Sequence, residues 1–247
     1  MNAFSFKIIT CDCLFIPASK SNDSRGKIRK TFFMTQPTID NTRDRILDQA
    51  ERLFAAKGFE AVSIREITGA AESNLAAVNY HFGNKMNLYF EVFRERWLER
   101  TRRVRESFAA RLAAVPNPDI RQIINAMAQA FLDGPLSDEE RHYHVQLMQR
   151  ELSQPSDVLR MVVEEVMKPY QQQLYGLIRP NLPSNIDEER LRLSILGIIG
   201  MTLYFTFARP AVAMVMGREY NADFKSVLIE HISSFALKGL NALMEEK

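Results

Sequence analysis

The chain is poor in the residues that mark many other protein classes. Its two cysteines, Cys11 and Cys13, form a C-x-C pair, too few and too close for a disulfide framework or a complete zinc site. Two free thiols in a reducing compartment are what such a pair implies. Ten glycines and ten prolines in 247 residues are too few for a strand-rich sandwich, whose many turns draw on both. No glycine-rich phosphate loop, G-x-S-x-G elbow or metal-spaced cluster of His, Cys and Glu occurs, so the usual signatures of nucleotide, hydrolytic and metal enzymes are missing. No catalytic residue, metal or cofactor is expected. The most apolar stretch, residues 193–208, is bounded by Arg192 and Arg209 and falls short of the roughly 20 residues a membrane span needs. The opening residues hold one early lysine and an apolar run broken by Cys-Asp-Cys, unlike a secretory signal. A cytoplasmic protein without a membrane partner is expected.

What is present fits a folded helical chain. Hydrophobic residues make up 46% and charged residues 25%, ordinary values for a globular protein, and the abundance of Leu, Ala, Arg, Glu and Met favours long helices. The fold class read from this is all-α. Residues 1–105 carry eighteen Lys/Arg against twelve Asp/Glu, residues 106–247 fourteen against eighteen. The front is thus +6 and the rest −4, a balance that suits a front end meeting a polyanion. Residues 17–40 mix Pro, Ser, Asn, Gly and basic residues without periodicity, so residues 1–40 read as a flexible tail. Met34 lies inside this tail, and a natural translation start there would make residues 1–33 an extension.

From Asn41 the pattern changes. Ile46, Ala50, Leu53 and Phe54 form one apolar stripe, with Asn41 or Thr42 to cap it and Gly58 to end it. Ser63-Ile-Arg-Glu66 reads as a reciprocal capping box opening a second helix that buries Ile64 and Ile67. After Gly69–Ser73, Asn74 caps a third short helix with Val78 and Phe82 inward and Leu75, Asn79 and Tyr80 outward. A fourth helix, Asn84 to about Ala114, aligns Tyr89, Phe93 and Trp97 on one face. It also carries Arg94, Arg96, Arg100, Arg102, Arg103 and Arg105, a run more typical of a solvated face than of a DNA contact, with Glu99 to Arg103 as a supporting pair. Further helices are expected over 118–133, 137–153, 156–179 (kinked by Pro169), 186–208 and 222–244, separated by Pro-containing breaks.

Three short helices between residues 42 and 82 suit a helix-turn-helix whose third helix enters the major groove, although such units also serve as packing modules. Residue detail adds to this. Phe54-Ala-Ala-Lys-Gly58-Phe59, then Ser63, Ala71-Glu72 and Asn79-Tyr80-His81-Phe82-Gly83-Asn84-Lys85 closely resemble the DNA-binding head of the tetracycline-repressor (TetR) family over about 45 residues. The resemblance implies a head at 41–86, opened at its groove-facing segment by Asn74, and an effector-binding and dimerisation body at 87–247. It also implies that Ser63 and Arg65 touch phosphate or a base edge, and that Leu75, Ala76 and Ala77 approach the groove floor. Asn79 would read an adenine edge, and Tyr80, His81 and Lys85 would grip phosphates. Two residues depart from the family pattern: Glu72 stands where glycine is usual, and Asn79 where tyrosine often stands.

The expected partners are a double-stranded DNA operator, a small-molecule effector and a second copy of the chain. A recognition helix this short reads half an operator, so two heads about 34–36 Å apart are needed. The last two long helices, with Leu193, Ile195, Ile198, Ile199, Leu203, Val227, Leu228, Ile232, Phe235 and Leu240, are assigned to a four-helix interface, or alternatively to an intramolecular core. Met127, Phe131, Leu147, Met148, Met161, Met167, Tyr170 and Tyr204 are candidates to line an apolar cavity, since methionine adapts to ligands, though it fills ordinary cores as well. Arg150 and Glu151 meet a ligand's polar end or solvent. His142 and His144 point apart on a helix and make no metal pair. The reading is a ligand-released repressor; the rival is a helical adaptor or membrane-associated protein without DNA binding.

Overall fold

A computed structural model describes residues 39–245, which are helical with no strand among them. The Cys11–Cys13 pair, the tail up to residue 38 and the start at Met34 lie outside the described residues. The first helix, α1 (Ile39–Lys57), runs through Asn41 and Thr42, so neither caps it and the helix starts earlier than the composition suggests. Gly58, at φ +83°, ends α1 in the left-handed conformation that suits glycine. Helices α2 (Ile64–Ala70) and α3 (Leu75–Phe82) follow. Beyond them α4 (Lys85–Val92), a π-helical turn (Phe93–Trp97) and α5 (Leu98–Ala113) form one long rod. The body continues with α6 (Ile120–Leu132), α7 (Asp138–Ser153), α8 (Asp157–Val162), a second π turn (Val163–Met167), α9 (Lys168–Ile178), α10 (Glu188–Phe207), α11 (Arg209–Met216) and α12 (Ala222–Glu245). The irregularity expected at Pro169 takes the form of that second π turn, just ahead of the proline, a recognised source of helix kinks. Helix α11 breaks the stretch expected to be loop after Arg209, because Pro210 sits in its first turn, where the missing N–H costs nothing.

Helix α6 is the hub of the body, packed by α5, α9, α10 and α12. Ile120, Ile123, Ile124, Ala126, Met127, Ala128, Ala130 and Leu132 are all buried, the all-round burial of a central helix. Its ends are closed by structure-specific devices: Asp119 and Gln122 form a two-way capping box, and a Cβ at Gly134 would lie 1.9 Å from the Ala130 carbonyl oxygen. Helix α10 is the less buried of the two. Leu191, Ile195, Ile198, Thr202 and Thr206 face the core, while Leu193, Leu196 and Tyr204 are exposed. The run 193–208 is short for a span, as expected, but the helix that holds it starts earlier, at Glu188, and with 20 residues and a window of mean hydropathy 1.3 it is long and apolar enough to cross a membrane by length and composition.

The head's hydrophobic cluster does not stop at the third helix. Ile46, Phe54, Val78 and Phe82 share it with Leu88, Tyr89, Phe93 and Trp97, and with Leu147, Met148 and Val162 of α7 and α8. Most of the arginine run on α4–α5 is spent on ion pairs across this junction and along the rod. Arg96 holds Asp48 at 2.8 Å, Arg100 clasps the buried Glu51 with Nη2–Oε2 at 2.9 Å, and Arg103 pairs with Glu140. Arg102 holds Glu99 at 2.6 Å, displacing the expected Glu99–Arg103 pair.

Candidate nucleic-acid interface

The geometry of α2 and α3 follows from their caps. Asn74 Oδ1 accepts from the Ala77 amide at 2.9 Å and fixes the start of α3; Ser63 Oγ accepts from the Glu66 amide at 3.1 Å and starts α2. The reciprocal half of the expected capping box is absent, because the Glu66 carboxylate is drawn instead to Lys57 Nζ at 2.6 Å. That bond is the chief reason the Glu66 carboxyl is held below its ordinary value. Between the helices, Ser73 N–H donates to Thr68 O at 2.9 Å and Glu72 N–H to Gly69 O at 3.4 Å. This is a Schellman closure, with Glu72 at φ +49° in the left-handed position.

With Val78 and Phe82 anchored in the core, the opposite side of α3 is bare: Leu75 is 51% and Tyr80 79% exposed, and Ala76 and Asn79 are exposed beside them. His81 is half-buried with its ring 5.0 Å from that of Tyr80. Ser63 and Arg65 are exposed on α2. Two expected contacts fall elsewhere. Ala77 packs against the head's core, since it adjoins Val78 about 100° round the helix, so the exposed small residue is Ala76. Lys85 Nζ lies 4.3 Å over the Phe59 ring and 3.5 Å from Glu60 O, so its ammonium is held against the head's edge rather than extended.

The expected effector residues divide. A cavity of about 300 Å³ in the body is lined by Phe131, Met148, Met167 and Tyr170. Met127 is instead fully buried in the α6 core, Met161 and Leu147 belong to the head's cluster, and Tyr204 is on the exposed side of α10. Spacing could not separate these cases, because both faces of these helices carry apolar residues. Arg150 and Glu151 do not reach the cavity. Arg150 Nη2 donates to Ala56 O at 2.7 Å, and buried Glu151 accepts from the Tyr89 hydroxyl at 2.7 Å and from Ser156 Oγ at 2.9 Å, so both fasten the body to the end of α1 and to α4. Burial, and then the bond to Glu151, push the Tyr89 phenol above its ordinary range. Residues that the sequence reading did not assign to the cavity also line it, among them Trp97, Thr101, Arg105, Arg141 and His144, with Leu196, Gly200 and Thr206 of α10. His144 stacks on Trp97 at 4.5 Å, and the Trp97 Nε1–H donates to the His144 carbonyl at 3.0 Å, so this junction of rod and α7 is also cavity wall.

Comparison with known proteins gives matches along both parts. The model for "Bacterial regulatory proteins, tetR family" matches residues 46–92. The model for "HTH-type transcriptional dual regulator CecR, C-terminal domain" matches residues 116–240, about half of the chain. The chain is 26% identical over 198 residues to the HTH-type transcriptional dual regulator CecR of Shigella flexneri, covering 77% of this chain and 86% of that protein. It is 27% identical over 159 residues to the HTH-type transcriptional repressor AcnR of Corynebacterium glutamicum, covering 63% and 71%. Its fold is similar to the crystal structure of NalD, the secondary repressor of the MexAB-OprM multidrug efflux pump in Pseudomonas aeruginosa. The TM-score is 0.56 at 23% identity, over 83% of this chain and 98% of that one.

Proposed function

Since the chain belongs to the TetR family of DNA-binding transcriptional regulators, with a CecR-type carboxy-terminal domain, we propose that it is a homodimeric repressor released from a palindromic operator when a small molecule enters the body cavity. It acts in the cytoplasm, as a regulator and not as a catalyst. The observation that carries this reading is the bare face of α3: Leu75, Ala76, Asn79 and Tyr80 stand out from a helix whose other side is locked in the core. A helix anchored on one side and uncovered on the other suits insertion into a major groove. Asn79 reads a base edge there, Ser63, Arg65, Tyr80 and His81 hold backbone, and Lys85 leaves the Phe59 ring for a phosphate.

Dimerisation places two such helices one turn of DNA apart. The faces that support it are the exposed side of α10, with Leu193 60% exposed, and that of α12, with Phe235 62% exposed. The inward members of the same helices, Ile195, Ile198, Leu228, Ile232 and Leu240, are buried within the protomer's own core, so the interface uses only part of the apolar excess. Ligand coupling runs through α7. Its inner face lines the cavity with His144 and Met148, and its end holds α1 and α4 through Arg150 and Glu151. A ligand favouring a different seat of α7 favours a different placement of the head, a population shift with reciprocal coupling to DNA.

A gel-shift assay with the DNA upstream of the protein's own gene tests this. Binding is expected to weaken steeply with salt, as for any protein neutralising several phosphates. Tyr80→Ala and Lys85→Ala are each expected to weaken it about ten-fold or more while leaving the melting temperature in place, because neither side chain is in the core. Absence of a shift at low salt, or indifference to both changes, would overturn the proposal.

A further inference from the structure

The cavity wall carries charge of one sign. Its lining includes two guanidinium groups, Arg105 and Arg141, and no carboxylate. Arg141 is buried; its Nη1 and Nη2 donate to the uncharged carbonyls of Phe131, at 3.2 Å, and Leu136, at 2.8 Å, and its Nε has no partner. Among the described residues no carboxylate forms an ion pair with it, and its neighbour Arg209 already has Asp138 at 3.7 Å. Burial first, and then the positive charge of Arg209, weigh against the Arg141 cation and outweigh the carboxylates of Asp138 and Asp133. A buried charge without a counter-ion is among the costliest arrangements in a protein interior. Arg105 is likewise without an ion pair among the described residues, whereas its neighbours Arg100, Arg102 and Arg103 all have one.

Of the other polar groups of the wall, the Thr101 and Thr206 hydroxyls already donate to the Trp97 and Thr202 carbonyls, while two are free to meet a ligand. The Tyr170 hydroxyl and His144 Nδ1 are buried without a partner. Burial raises the Tyr170 phenol, so it keeps its proton; burial pushes His144 down to about 3, so it is a neutral hydrogen-bonding group. The remaining surface is apolar and partly aromatic, with Trp97, Phe131 and Phe207, and the volume of about 300 Å³ is at the small end of ligand sites.

We propose that the effector is an amphipathic organic acid: an apolar, partly aromatic body bearing one anionic group, which supplies the missing counter-ion of Arg141, with Arg105 as the second cation and the Tyr170 hydroxyl as a donor. This rests on the cavity's being the effector site. A neutral amphiphile of the same shape leaves Arg141 unpaired, and a cationic one adds a third positive charge to a buried wall, so the order of preference is acid, neutral, cation.

The test uses two polarity-sensitive dyes with one skeleton, 1-anilinonaphthalene-8-sulfonate and uncharged N-phenyl-1-naphthylamine, titrated by fluorescence against the full chain. The anionic dye is expected to bind about ten-fold more tightly or better. Arg105→Gln and Arg141→Gln should each remove most of that preference while leaving the neutral dye's affinity within about two-fold. Leu203→Trp, which fills the cavity, should lose both dyes. Arg141→Gln gives up two carbonyl bonds and is checked by its melting curve; if it does not fold, Arg105→Gln, whose side chain forms no ion pair among the described residues, decides. Equal affinity for the two dyes, or an anion preference that survives the arginine changes, overturns the acid assignment and leaves the cavity as an effector site. Failure of both dyes to bind, or binding indifferent to Leu203→Trp, removes the effector site itself.

Discussion

At Glu72 the backbone takes φ +49°, a left-handed conformation that disfavours any side chain with a Cβ. The Schellman bonds to Thr68 and Gly69 hold it there, beside the helix assigned to DNA. Glu72→Gly is therefore expected to stabilise the fold by about 1 kcal/mol, seen as a rise in melting temperature of about 2–4 °C. It also removes a negative charge near phosphate, so DNA affinity should rise and not fall. His144 gives a pH prediction whose sign follows from its depressed value of about 3. Below the ordinary imidazole value near 6.5, the unfolded chain takes up a proton that the folded chain refuses, so stability falls as pH drops from about 6.5 toward 3, by at most about 1.4 kcal/mol per pH unit. His144→Phe, which keeps a ring against Trp97, should flatten that part of the profile; equal slopes for both proteins in denaturant titrations across this range would refute it.

Between elements, the junction of α1 with the rod rests on one buried pair and several partly exposed ones. Arg100 and Glu51 are both buried and meet through two parallel bonds. Arg100→Met leaves the Glu51 carboxylate buried alone and should cost about 3–5 kcal/mol, whereas the double change Glu51→Leu with Arg100→Met should recover most of it. Urea unfolding of the three proteins measures the difference. Arg43, by contrast, is half-buried and shared between Glu95 at 2.8 Å and Glu91 at 3.4 Å, and its loss should cost little. Helix starts at this level were legible. Ser63, Asn74 and Asn84 cap as their residue types and spacings demand, because capping is a local contest between a side chain and the nearest free amides. What the Glu66 carboxylate binds was not legible, since Lys57 reaches it only after α1 and α2 have packed.

At the scale of the whole molecule, the exposed sides of α10 and α12 are the surfaces through which a second copy is proposed to bind. Leu193→Glu with Phe235→Glu should convert a dimer to a monomer in sedimentation at micromolar concentration and abolish the gel shift. Folding should be unaffected, because both side chains lie outside the protomer's core. A variant that remains dimeric would place the interface elsewhere. The two short helices α2 and α3 were readable from residues 54–85 alone, where caps, glycines and core positions follow one another at fixed spacings. The cavity was half readable: Phe131, Met148, Met167 and Tyr170 line it, but Met127 and Tyr204 go to the core and the surface.

The sequence by itself determined the all-helical class, the caps at Ser63, Asn74 and Asn84, and the inward Val78 and Phe82 and outward Leu75, Asn79 and Tyr80 of α3, because each depends on neighbours within one or two turns. Tertiary structure alone decided that α6 and not α10 is the hub, and that Arg96, Arg100 and Arg103 of the rod pair with carboxylates of α1 and α7. It alone placed Arg105 and Arg141 in a cavity wall with no ion-pair partner among the described residues. The physical reason is that burial and charge pairing are properties of what an element packs against, and a helix apolar on two faces carries no local signal of which face meets its own chain.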